Sequence, residues 1–222
     1  MSWAEVFKIN KNMKRALNEQ MRDAIALPMR VITVNTTYTP EKTGLYKVIC
    51  VGKGGNSGGQ DGSYSYDVYA GSGGGGGVAI STLKLLSSQS YNVTANTTAS
   101  FGNILTAYAG GAGAKNVAGS GGGAEGGDFN FSGGSGNKGT SANVSFDGGG
   151  VGVAIVGLSR KIIVHDSKND YHNVDVLYGE SILSYGAGAP ASIYRDANAN
   201  YYCSSRSGLP AAVIIIPLEM EE

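Results

Sequence analysis

The sequence predicts a mainly β protein, an antiparallel β-sandwich joined to a glycine-rich bundle of polyglycine-II type, with one short α-helix at the N-terminus. Three observations carry that prediction. Helical spacing of apolar residues occurs only before Pro28. From Val31 onward the hydrophobic period is two, in short runs separated by Gly, Asn and Pro. Glycine accounts for 36 of the 222 residues against only 5 prolines, in clusters where it recurs at every third position. The chain therefore divides into a helix over 1–30 and a glycine-rich β domain over 31–222, whose glycine-rich core covers 52–77 and 110–152.

The helix is read from Trp3, Val6, Phe7, Ile9, Met13, Leu17 and Met21, which fall on one face with lysines, Glu19 and Arg22 between them. Ser2 and Glu5 form a capping box at its start, and Pro28 ends it. No later segment has helical periodicity, so the apolar stripe has two outlets. It packs on a partner, as an attachment or oligomerisation element, or it folds back on its own sheet.

Strands are expected over 31–38 and 44–52, joined by a turn at 40–43, then over 78–85, 91–96 and 103–108. Further strands are expected over 151–156, 162–165, 174–178 and 211–216. Each is a short alternating or continuous apolar run bounded by turn residues. Cys50 and Cys203 sit in such runs and are read as two buried free thiols, since the absence of a signal-peptide pattern implies a reducing compartment.

Between Gly110 and Gly150, 16 of 41 residues are glycine. A flexible linker is one reading. Against it stands the spacing: Gly52, Gly55, Gly58; Gly71, Gly74, Gly77; Gly119, Gly122; Gly133, Gly136, Gly139. An extended left-handed helix has three residues per turn, so such positions form smooth backbone faces that a neighbouring segment can approach. Ordering glycine is entropically costly, and these helices make no internal hydrogen bonds, so order requires a lattice of bonds between segments.

Equal numbers of basic and acidic residues, 17 each, give no net field toward nucleic acid. No apolar run approaches the length of a membrane span, so no membrane insertion is expected. Gly71 to Gly76 fits a dinucleotide fingerprint only formally, because a strand pattern and not a helix follows it. The two histidines, His165 and His172, lack the further ligands of a metal site, and Glu125, Asp128 and Asp147 do not make a supported carboxylate pair. The expectation is a protein with no enzyme activity, cofactor or metal. Tyr64, Tyr66 and Tyr69 alternate with small polar residues, as do Phe129 and Phe131. Aromatics among Ser, Gly and Asn compose adaptable binding loops, and equally could cap the apolar edges of a bundle.

The run from Tyr38-Thr-Pro through Tyr46-Lys-Val-Ile-Cys-Val-Gly-Lys-Gly-Gly55, then Gly73 to Ile80, Tyr91-Asn-Val-Thr94 and Ala211 to Ile216, resembles the glycine-rich domain of phage and prophage tail-fibre proteins. The opening Ser2-Trp3-Ala-Glu-Val6 is similar to the N-termini of small prophage tail-appendage proteins. More distantly, the glycine region resembles the polyglycine-II adhesins of T-even long tail fibres. The resemblance implies a virion protein assembled in the host cytoplasm, a homotrimer, held to other virion proteins by its N-terminal helix. Loops between the glycine segments would touch a host cell-surface glycan or protein. The alternative it leaves open is a purely structural virion role, as a head fibre, capsid decoration or baseplate component.

Overall fold

A computed structural model describes residues 27–58, 60–64, 71–114, 117–138, 185–189, 192–195 and 201–221. The expected N-terminal helix and the expected strands at 151–156, 162–165 and 174–178 lie outside the described residues. The described strands are β1 (Arg30–Ile32), β2 (Thr36–Tyr38), β3 (Gly44–Val51), β4 (Gln60–Tyr64), β5 (Val78–Leu85), β6 (Tyr91–Ala95), β7 (Ala99–Phe101), β8 (Leu105–Ala107), β9 (Ala124–Glu125), β10 (Phe129–Phe131), β11 (Ser192–Arg195), β12 (Tyr201–Ser204) and β13 (Ala212–Met220).

Two five-stranded antiparallel sheets make the body. The first has the order β1-β13-β3-β5-β10 and the second β2-β6-β7-β8-β9. One hydrophobic cluster joins them, with Tyr46, Val48, Cys50, Ala79, Val213 and Ile215 from the first sheet and Tyr91, Val93, Phe101, Leu105 and Ala107 from the second. Alternation explains the choice: Val48 and Cys50 face this core, while Ile49 and Val51 join Val78 and Ile214 in a second cluster on the opposite face of the same sheet. Phe101 is fully buried and stacks on Tyr91, with ring centroids 5.1 Å apart. Buried phenol groups find partners, as Tyr46 shows by donating its hydroxyl to the Lys42 carbonyl at 2.7 Å.

The expected strand at 31–38 is in fact two strands in different sheets. β1 pairs with β13 and β2 with β6, and between them the Asn35 side chain accepts the Ala95 N–H at 3.0 Å. That side-chain bond carries the chain across from one sheet to the other. The expected 31–38/44–52 hairpin is thereby corrected, because β2 and β3 belong to separate layers. The strand expected over 103–108 is shortened by a turn at 102–104, which opens on Gly102 at φ 54°. Phe129 and Phe131, read as loop residues, lie instead on β10, an edge strand paired with β5. Pro217 sits where β13 has run past the three-residue β1 and is paired only with β3, next to a register shift, an edge position of the kind at which a sheet tolerates proline.

From these sheets the glycine segments run outward and back. The period-three sets found in the sequence face each other: the N–H groups of Gly52, Gly55 and Gly58 donate to the carbonyls of Gly77, Gly74 and Gly71, and those of Gly133 and Gly136 donate to Gly122 and Gly119. Among the described residues, the segment 71–77 has the fullest set of neighbours. Its successive N–H groups turn in rotation to three segments, Gly71, Gly74 and Gly77 to 108–114, Ser72 and Gly75 to 132–138, and Gly73 and Gly76 to 185–189. Its carbonyls accept from 52–58 and from 117–123. Every residue of 71–77 is buried. Gly74 has no room for a side chain: a Cβ there would stand 2.0 Å from the Ser120 carbonyl oxygen.

Side chains enter this lattice where they can replace a backbone partner. Ser72 Oγ accepts the Asn137 N–H at 2.6 Å, and Ser57 Oγ accepts the Arg206 N–H at 2.9 Å. Both serines are buried. A third sheet, of three strands in the order β11-β12-β4, lies at the end of the lattice away from the body, because β4 follows Gly58, β11 follows Ala189 and β12 precedes Arg206.

Candidate functional site

The three described aromatic candidates, Tyr64, Phe129 and Phe131, do not converge. Tyr64 ends β4 in the three-stranded distal sheet, where it stands in register with Tyr201 of β12. Tyr66 and Tyr69 lie outside the described residues, on the stretch joining β4 to Gly71. Phe129 and Phe131 are at the opposite end, on β10 at the edge of the first body sheet. Their rings stack at 6.5 Å and remain 62% and 38% exposed. Neither ring belongs to the two hydrophobic clusters.

Reading for aromatics in polar loops finds Tyr64 and misses its neighbours in the fold. Register places Tyr201 between Tyr64 on one side and Arg195 on the other, and Tyr202 opposite Tyr194. The signal was present as the alternation in Ile193-Tyr-Arg and the pair Tyr201-Tyr202, more than a hundred residues from Tyr64. Only the pairing of β4 with β12 joins them.

The two sequence-named carboxylates in the described part, Asp128 and Glu125, are each engaged with a neighbouring hydroxyl. Asp128 accepts the Ser81 hydroxyl at 2.6 Å and the Thr82 N–H at 3.1 Å, and these bonds hold its carboxyl below the usual aspartate range. Glu125 accepts the Tyr108 hydroxyl, which raises that phenol above its ordinary value. Asp147 lies outside the described residues, as do His165, His172 and the attachment candidates Trp3, Val6, Phe7, Ile9, Met13, Leu17 and Met21. Among the described residues no three His, Cys, Asp or Glu side chains come together as a metal site.

No protein-family model and no curated protein matches the chain. Its function must therefore be argued from its own geometry.

At the body end, a small hollow is lined by Leu27, Pro28, Arg30, Tyr38, Glu41, Tyr46 and Pro217. Arg30 and Glu41 close it with a 2.8 Å ion pair, and burial pushes the Tyr38 phenol up to about 12. The N-terminal segment joins the fold at Leu27 and Pro28. Cys50, buried in the core, has its thiol pushed up to about 12 by burial alone, so it is a packing residue and not a nucleophile.

Proposed function

We propose that this chain is a non-enzymatic phage virion protein, a tail-fibre or tail-appendage component whose glycine segments form a polyglycine-II bundle that holds distal loops toward the host cell surface. The observation that carries the reading is the rotation of hydrogen bonds along 71–77, where residues i and i+3 serve the same neighbour. That is the period of a helix with three residues per turn, and it is incompatible with a β-strand, whose period is two. At about 3.1 Å per residue, seven-residue segments set the distal sheet about 20 Å from the body.

The resemblance to tail-fibre proteins supplies the biological setting. A sheet raised on a rigid glycine lattice, carrying Tyr64, Tyr194, Tyr201, Tyr202 and Arg195, suits contact with a neutral polar surface such as a glycan or an outer protein. The N-terminal segment would hold the chain to other virion proteins or bring three copies together.

The test is adsorption. The chain should be found in purified particles, and the isolated protein, added in excess to susceptible cells, should reduce phage adsorption. A variant carrying Tyr64→Ser and Tyr201→Ser should keep the far-UV spectrum and lose this competition. Presence in particles without competition would leave the structural role, and absence from particles would end the virion reading.

A further inference from the structure

Two described segments lead side by side to the distal sheet: 52–58 runs up toward β4 and 205–209 comes down from β12. Their pairing keeps one antiparallel register through successive levels. The Gly54 N–H donates to the Leu209 carbonyl and the Ser57 N–H to the Arg206 carbonyl, both at 2.9 Å, and Gln60 stands opposite Cys203 in the sheet itself. Each level is three residues further along both segments. The register shifts only beyond, between Cys203 and Tyr201. Ser57 therefore occupies the level at which the three-residue repeat of the lattice gives way to the two-residue repeat of a strand.

The residue at that level differs from the one a turn below. Gly54 has no room for a side chain, since a Cβ there would stand 1.9 Å from the Ala187 carbonyl oxygen. Ser57 is accommodated and only 2% exposed. Its N–H, its Oγ and its carbonyl all meet Ser205 or Arg206: besides the bond already described, the Oγ accepts the Arg206 N–H at 2.9 Å and the carbonyl accepts the Ser205 hydroxyl at 2.8 Å. Beside it the Asn56 side chain accepts the Gly208 N–H at 3.2 Å. Four bonds, three of them made by side chains, thus tie together the two short stretches beneath β4 and β12.

We propose that Ser57 is a positioning residue, the seam that couples the distal sheet to the glycine lattice. With its hydroxyl removed, β4 and β12 open together while the lattice and the body stay closed. The inference deepens the reading of the distal sheet as the surface presented to the host, because a sheet held in one register meets a ligand without first having to be ordered. It rests on that reading for its purpose alone, since the bonds that define the seam do not depend on what the sheet touches.

Amide hydrogen exchange on the full chain tests it, comparing the parent protein with Ser57→Ala, Ser205→Ala and Ser72→Ala. Loss of the Ser57 acceptor should speed exchange in β4 and β12 by about ten- to a hundredfold and leave Val48, Ile214 and Gly74 within about twofold of the parent. Ser205→Ala removes one donor from an exposed side chain and should act on the same amides by a smaller factor; it decides the matter if Ser57→Ala does not fold. Ser72→Ala removes a buried hydroxyl that serves Asn137 instead, and should leave β4 and β12 unchanged. Unaltered exchange in β4 and β12 overturns the proposal. So does acceleration that extends equally to Val48, Ile214 and Gly74, which would make Ser57 a general stabilising residue. An equal effect of Ser72→Ala also overturns it, because the whole distal end would then be fraying. Exchange reads no binding, so none of these outcomes touches the adsorption test of the proposed function.

Discussion

At the residue scale, two kinds of position respond to change in opposite ways. Gly74→Ala places a Cβ against the Ser120 carbonyl and should prevent folding, whereas Gly123→Ala meets nothing closer than a Tyr108 ring carbon at 3.9 Å. Gly123→Ala should be neutral or stabilise by about 0.4–1 kcal/mol through the unfolded chain, read as a shift in thermal midpoint. Cys50 gives a pH prediction. Its ordinary value of 9.0 rises to about 12 in the fold, so between those values the unfolded chain has lost a proton that the folded chain retains. Stability should therefore decline from pH 9 toward 12, and the thiol should resist alkylation until the protein unfolds. Such behaviour was legible in the sequence for Cys50, whose Val-Ile-Cys-Val setting announced burial. For Asp128 it was not, because Ser81 lies 47 residues away and meets it only through the pairing of β10 with β5.

At the scale of elements, the long apolar strands β3, β5, β6 and β13 could be read directly, since burial on one or both faces leaves its pattern in the side chains. The strands β7, β9 and β10 could not: two or three residues such as Ala99-Ser-Phe101 are too short to show a period, and their pairing fixes them, while β8 was legible as the middle of the run expected over 103–108. The split of 31–38 was hidden for a related reason, being decided by Asn35 binding a distant N–H. Phe101→Ala, at the contact of the two sheets, should cost about 3–5 kcal/mol in chemical denaturation. Phe129→Ser on the exposed edge strand should cost far less, and a loss comparable to that of Phe101 would show that the edge is covered in solution.

At the scale of the whole molecule, the period of three was visible in the sequence, but not which set meets which. Every glycine triplet offers the same backbone, so partner choice follows from how far each excursion extends before it returns. The buried Ser57 and Ser72 give those registers a chemical identity that glycine alone lacks. The proposed assembly role of the N-terminal segment is tested by solution mass. The full chain should be a trimer and a chain beginning at Leu27, which keeps β1 intact, a folded monomer. A monomeric full chain would assign the segment to another virion protein.

The lattice also determines how the molecule carries load. The described chain enters and ends in the body, where β1 lies beside β13, while the distal sheet is held at the other end. In the proposed role, a pull between a particle and a bound cell would run along the glycine segments and across their hydrogen bonds, so that many bonds are sheared at once and none is peeled open first. Such a stalk should yield abruptly at high force, having stretched very little beforehand.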